Sequence, residues 1–366
     1  MGNSTDPQTP VSSLQVLLLL YWLIFAVGLP LNCLTAWILF RAPVDSGLMV
    51  YMKNMVVADL LMVLTFPFKA LMEELQLLVL YCHYVSVLSS ACMYVEILFI
   101  GLISLERYSR IFQHASRSPS TSSTCSSRFG LILKLHCLQR PSVARVLAVS
   151  TWGVLLCCNL PRVLLSTRDP HNFTYCWELE MQMGNRWHYG TTVFTAFLFW
   201  MLLPVMVFCY TSIAVQLYKS NRRVQQDSHN ICRKSSRSIF SILAIFSVCF
   251  VPYHICRVPF NLNLLKPSLF GRNTNFMLYR LKEGTLLLSC LNVCLNPVIY
   301  FLMCKTFREG LRRKVSFRKR RAQTASPLQS VSNFCGERSD LQEIRSSRAL
   351  RKSESNLLEE PNKYVK

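Results

Sequence analysis

Asp59 and Glu96 each set a carboxylate inside a long apolar run, while Asn32, Asn292 and Asn296 set amides, and Arg107 a guanidinium, in others. Where water is excluded such groups are costly, so each is either functional or a tie between packed helices. Two carboxylates could do acid–base work, but no motif places a water or substrate between them, so no enzyme, metal centre or organic cofactor is expected. A second set is cationic. His254 and Arg257 stand three apart on one helical face, and Lys282 opens the next apolar run on the same side. Fixed cations at the mouth of a low-dielectric cavity favour an anionic, phosphate-bearing ligand. The competing reading is that Arg257 and Lys282 are taken up by Glu283 or by lipid headgroups.

These residues need elements that hold them in an apolar medium, and composition indicates which. Only 16% of the 366 residues are charged and 51% are hydrophobic, against about 25% charged in ordinary globular chains. The net charge of +21 lies mainly between and after the apolar runs, which suits membrane surfaces rather than nucleic acid. A spanning helix needs roughly 20 apolar residues, and seven such stretches lie near 16–40, 49–72, 79–112, 142–165, 188–218, 235–263 and 279–302. The expected fold is an all-α bundle of seven transmembrane helices. A transporter or channel would show internal repeats, broken helix pairs or charged rings, and the sequence has none of these.

Orientation follows from charge. Residues 1–40 hold no Lys or Arg, whereas Arg117, Arg128, Lys134 and Arg140, then Lys219, Arg222, Arg223, Arg233 and Lys234, follow the third and fifth runs. The positive-inside rule puts those segments in the cytoplasm and the N-terminus outside. The sequons at Asn3 and Asn172 then fall on the extracellular side. The expected organisation is an extracellular segment 1–15, a receptor-like bundle 16–304, an amphipathic membrane-surface helix 305–315 and a basic, Ser-rich tail 316–366. In the surface helix Phe307 and Leu311 oppose Arg308, Arg312 and Arg313, which suits anionic membrane lipids. The bundle carries a Ser/Thr-rich cytoplasmic insert near 113–141, densest at 116–128.

Several local motifs occur in order through the spans. Asn54 to Leu60 contains Asp59; Glu106-Arg107-Tyr108 closes the third span; Trp152 lies in the fourth; Cys249-Phe250-Val251-Pro252 lies in the sixth; Asn296-Pro297-Val298-Ile299-Tyr300 lies in the seventh. Together they resemble the rhodopsin-like G-protein-coupled receptors over about residues 16–314. Within that class Phe66-Pro67-Phe68-Lys69, His254 to Arg257 and Lys282 to Leu286 are similar to the purinergic-type branch, with its nucleotide and nucleotide-sugar receptors and its orphan and lysophospholipid-linked neighbours.

The resemblance implies a plasma-membrane receptor whose partners are an extracellular ligand, a heterotrimeric G protein, and arrestin and receptor kinases on the tail. It implies a ligand set of His254, Arg257, Lys282, Phe260 and Thr192, and a coupling set of Glu106, Arg107, Tyr108, Tyr210, Pro252, Asn296, Pro297 and Tyr300. Glu106 would neutralise Arg107 at rest, and Pro252 and Pro297 would act as hinges. Cys82 and Cys176 both face the oxidising side, where a disulfide is favoured over two free thiols.

Several departures qualify that match. Ser89 and Ser90 replace an aromatic pair able to stack a base, and Phe260 replaces a tyrosine. The N-terminal segment and 261–279 lack the cysteines of a second bridge. Pro204 stands six residues before Tyr210 rather than eight. No acid on the sixth helix is placed to lock Arg107, Asp227 being the only one from 219 to 260. Glu96, finally, stands where the class generally has a serine. It lies eleven residues before Arg107, at the depth of the sodium pocket that the resemblance implies for Asp59, Asn292 and Asn296. Two carboxylates so close in a dry site share a proton or hold a cation, and a resting state sensitive to sodium and pH is expected.

Overall fold

The computed structural model describes residues 11–44, 46–71, 81–116, 135–164, 185–223, 229–265, 272–304 and 307–312. Every regular element among them is helical, because a segment in hydrocarbon must satisfy its backbone N–H and C=O groups internally. The helices are α1 (Val11–Phe40), α2 (Gly47–Ala70), α3 (Ser86–Ser116), α4 (Pro141–Leu164), α5 (Asn185–Arg223), α6 (His229–Leu265), α7 (Arg272–Cys290) and α8 (Asn292–Met303). Seven apolar segments are long enough to cross a membrane, the last, Met277–Met303, running through α7 and α8. The chain is therefore a seven-span helical membrane protein, with a short helix at 307–312 after the seventh span. The first compact unit ends at Arg308; of the second, residues 309–312 are described and are helical.

α2 and α3 form the inside of the bundle: 67% of each apolar window is buried, against 22% for α1 and α4. Asp59 and Glu96 belong to these two inner helices, which is why both carboxylates are fully buried. Gly28 lets α1 approach closely, since a Cβ there would meet Val63 and Val293 at 3.3 Å. One turn on, Asn32 Nδ2 donates to Val293 O at 2.9 Å. That carbonyl would otherwise accept the N–H four residues later, which Pro297 lacks, so Asn32 closes the hydrogen bond that the proline opens.

The observed elements differ from the expected spans in two places. A π turn, Tyr81–Val85, precedes α3, and the third apolar segment begins at Ser86 rather than near 79. The seventh span is interrupted at Leu291, where Cys294 N–H bonds back to Leu291 O at 3.0 Å, a tightening of the i→i+3 kind; Asn292 and Asn296 beyond it are both buried. α5 runs unbroken through Pro204. Cys176, Asn3 and Asn172 lie outside the described residues, as do 117–134 of the insert and the tail from 313.

Candidate functional site

Polar side chains gather at three depths. At the end that carries Cys82, Lys69 Nζ from α2 lies 3.0 Å from Glu283 Oε2 on α7, and Lys282 Nζ lies 3.5 Å from Glu283 Oε1. Lys69 also sits 4.6 Å over the Tyr21 ring and Lys282 4.6 Å over Phe260. The competing expectation that Glu283 takes up a cation therefore holds for Lys282, and Lys69 is the nearer of its two partners. Arg257 binds elsewhere. Its guanidinium donates to the Tyr94 hydroxyl and to Thr195 Oγ1 at 3.3 Å, and it lies 5.9 Å from the Tyr94 and Tyr253 ring centres.

His254 continues this network inward. A carbonyl can only accept, so the 2.9 Å contact from Nδ1 to Phe250 O puts the proton on Nδ1. Nε2 is then the acceptor for Tyr94 O–H at 3.2 Å. The imidazole stacks on Phe199 with ring centres 3.7 Å apart and is 2% exposed. Arg257, Tyr94, His254 and the Phe250 carbonyl thus form one directional chain across α3 and α6, with His254 at its buried end. On α5 the hydroxyl that reaches Arg257 is Thr195, whose own proton goes to Thr191 O or Thr192 O at 2.8 and 3.1 Å; Thr192 is buried one turn away.

Tyr94, Thr195, Phe199 and Lys69 were absent from the expected ligand set. Tyr94 had a sequence signal: it stands four residues after Ser90, on the face where a stacking platform was sought, and a tyrosine in an apolar run needs a partner for its hydroxyl. Tyr94 and Phe199 are both fully buried, so they are not exposed surfaces on which a base could stack.

The middle layer joins α2, α3 and α8. Asn296 Nδ2 donates to Asp59 Oδ1 at 2.6 Å, and Tyr300 O–H donates to Asp59 Oδ2 at 2.8 Å. Asn292 Nδ2 donates to Glu96 Oε2 at 2.5 Å. Asp59, Glu96, Asn292 and Asn296 are thus brought together as expected, with Tyr300, assigned from sequence to coupling, as a further donor. Glu96 Oε1, Asn292 Oδ1 and Asn296 Oδ1 are buried and receive no hydrogen bond, so the layer presents oxygen lone pairs of the kind a hard cation takes.

At the far end Glu106 does not bind Arg107 tightly. Arg110 Nη2 lies 2.5 Å from Glu106 Oε1, while Arg107 Nε is 3.9 Å from Oε2. Glu106 thus reaches Arg107 as expected, and lies closer to Arg110, which stands four residues on and faces it on the helix. Arg107 also donates through Nη2 to Met303 O at 2.8 Å, tying α3 to the end of α8. Tyr108 packs on Phe112 and Phe208, at 4.5 and 5.9 Å between ring centres, and Tyr210 is buried on α5. Pro252 lies within α6, where Ser289 Oγ on α7 donates to Cys249 O at 2.8 Å. Cys82 is disulfide-bonded.

Seven apolar helices closed around layered polar contacts define a membrane receptor of the seven-helix class, and the kinship implied by the motifs is borne out. The chain belongs to the 7 transmembrane receptor (rhodopsin family), whose model matches residues 31–132 and 127–300. It is 34% identical over 320 residues to purinoceptor 14 of Bos taurus, covering 86% of this chain and 89% of that protein. It is 36% identical over 323 residues to G-protein coupled receptor 87 of Mus musculus, covering 86% and 84%. With purinoceptor 13 of Homo sapiens it shares 31% over 298 residues, covering 80% and 79%. The protein is a G-protein-coupled receptor of the purinoceptor-like branch, and not an enzyme.

Proposed function

We propose that this receptor sits in the plasma membrane with its N-terminus outside, binds a small anionic, phosphate-bearing ligand between Arg257 and Lys282, and activates a heterotrimeric G protein at the opposite end. The observation that carries this reading is that cations from three helices lie at the Cys82 end: Lys69 and Lys282 on Glu283, and Arg257 on the hydroxyls of Tyr94 and Thr195. A phosphate offers acceptors for several N–H donors at once. The disulfide at Cys82, for which Cys176 is the proposed partner, and the sequons Asn3 and Asn172 support assigning this end to the oxidising side.

A nucleotide or nucleotide sugar is the first ligand class, in keeping with the purinoceptor names of two relatives. A lysophospholipid is the second. Ser89 and Ser90 offer no ring, and the nearest aromatic network is sealed inside the bundle, which favours a ligand anchored by its phosphate rather than by a stacked base. Ligand that binds the active arrangement more tightly shifts the helices toward it. Release of Arg107 from Met303 O is then the step that opens the coupling end. Arrestin and receptor kinases would act on the Ser-rich tail.

The test is a G-protein activation screen of nucleotides, UDP-sugars and lysophospholipids on cells expressing wild type, Arg257→Ala and Lys282→Ala at matched surface level. One class should activate wild type and lose potency in both variants. Unchanged potency in both would place the anion site elsewhere.

A further inference from the structure

At the end of the bundle opposite Cys82, α1 runs out into the turn that leads to α2. A group of side chains there serves neither the ligand cluster nor the Arg107 contact. Phe40 and Arg41 follow Trp37 by three and four residues, which puts them on its side of the chain. That side is bare: Trp37 is 40% exposed and Phe40 54%, and Arg41 is exposed as well. The Arg41 guanidinium folds back over the Trp37 indole, 4.2 Å from the ring centre. Lys53 comes across from α2, its Nζ 5.7 Å from the Phe40 ring centre and donating to Ala42 O at 2.8 Å.

Lys53 does what a cation beside a helix C-terminus ordinarily does, since it meets a carbonyl there. Arg41 does not. Its flat face is taken up by the indole, and its edge, which carries five N–H donors, meets no acceptor among the described residues. An indole exposed on a spanning helix marks the level of the lipid headgroups, so this edge lies at the depth of their phosphates. We infer that Arg41 and Lys53 hold the phosphate of a phospholipid with a net negative headgroup, with Trp37 and Phe40 bedding its glycerol and upper acyl chain. A guanidinium meets a phosphate through two parallel N–H bonds, and the ring beneath fixes the plane of that fork. A zwitterionic headgroup would bring its own ammonium against two cations, and this repulsion selects the anionic lipid. The acyl chain has apolar surface to run along, because only 22% of the α1 window is buried. In the orientation proposed above this is the cytoplasmic leaflet, the one with the negative surface.

The test uses purified full-length receptor in phosphatidylcholine nanodiscs, doped with the same small fraction of phosphatidylserine or of phosphatidylcholine carrying a diazirine high on one acyl chain. After illumination, mass spectrometry of the peptides measures labelling around Trp37 and Phe40. Phosphatidylserine is expected to label this segment more than phosphatidylcholine does. That labelling should fall about fivefold in Arg41→Ala and in Lys53→Gln, the effect of one cation at an anionic surface. Arg41→Lys keeps the charge without the fork and should fall in between. Arg312→Ala, on the short helix after the seventh span, should leave it unchanged. Equal labelling by the two lipids, or unchanged labelling in Arg41→Ala, would overturn the site. So would an equal fall in Arg312→Ala, which would mean diffuse attraction to the whole basic surface. Should Lys53→Gln not fold, the exposed Arg41 decides alone. Both leaflets of the disc carry the probe, so the outcome does not depend on which way the receptor faces in a cell.

Discussion

The outer cluster and the buried pair are both made of charged groups on facing helices, yet they close in opposite ways. Around Asp59 the donors come from the chain itself: Asn296 and Tyr300 on the carboxylate, Asn292 on Glu96, all fully buried. Around Glu283 one acid is shared by two lysines, Lys69 buried and Lys282 partly exposed, and a third cation stands on hydroxyls. A site whose charges are met internally is a structural element with little left to offer a ligand. A site where, among the described residues, three cations face one acid has donors to offer an anion, and the difference separates where the receptor is held together from where it can be addressed.

The sharpest way to break the contrast is Asp59→Ala. It leaves Asn296 Nδ2 and Tyr300 O–H without their acceptor in a dry core, at about 1–3 kcal/mol for each orphaned group. Thermal unfolding of the purified receptor should show the largest fall of any substitution considered. A Tm within the range of surface variants would mean that the middle layer is not self-contained. Next comes Arg257→Ala, expected to cost about 1.5–3 kcal/mol of agonist binding, roughly ten- to hundredfold in potency, with little change in Tm. If it instead lowers Tm as far as Asp59→Ala does, the outer cluster is structural too.

Tyr94→Phe sharpens the outer half. The ring stays, but Arg257 loses its hydroxyl acceptor and His254 Nε2 its donor. A net loss of about 1 kcal/mol, or roughly fivefold in potency, is expected from one neutral link in the chain. Agonist dose–response at matched surface expression measures it. A loss as large as that of Arg257→Ala would make the tyrosine a direct ligand contact rather than the residue that positions the arginine.

The span count and the shared depth of Asp59 and Glu96 were readable because each rests on one strong local rule: apolar length for the first, and a fixed helical rise from Arg107 to Glu96 for the second. Lys69 and Glu283 lie 214 residues apart; nothing local to either says which cation faces the acid, and the neighbour Lys282 was the natural guess. Arg107 illustrates the same limit. The adjacent Glu106 reaches it at 3.9 Å while lying nearer to Arg110, and its hydrogen bond goes to a carbonyl, Met303 O, which carries no sequence signal at all. The break at Leu291 was hidden for a related reason. Leucine favours a continuous helix, and the tightening belongs to the packing of Asn292 and Asn296 against the carboxylates.

Glu283→Gln is the smallest expected change, and it probes the comparison from the other side. Removing the acid leaves Lys69 and Lys282 with an amide oxygen in place of a carboxylate, so both become more available to an anion. Their positions also loosen, which offsets part of the gain. For a pair near the mouth of the bundle, with side chains 8% and 15% exposed, the two effects leave a net improvement of about 0.5–1 kcal/mol, or two- to fivefold in agonist potency. Agonist dose–response and Tm, measured on the same preparations, separate the contributions: potency should rise while Tm falls slightly. A drop in potency would show that Glu283 works by fixing the lysines in place or by meeting the ligand itself. The outer cluster would then resemble the inner one, with each charge already assigned a partner, and the surplus of cations would no longer explain what the receptor binds.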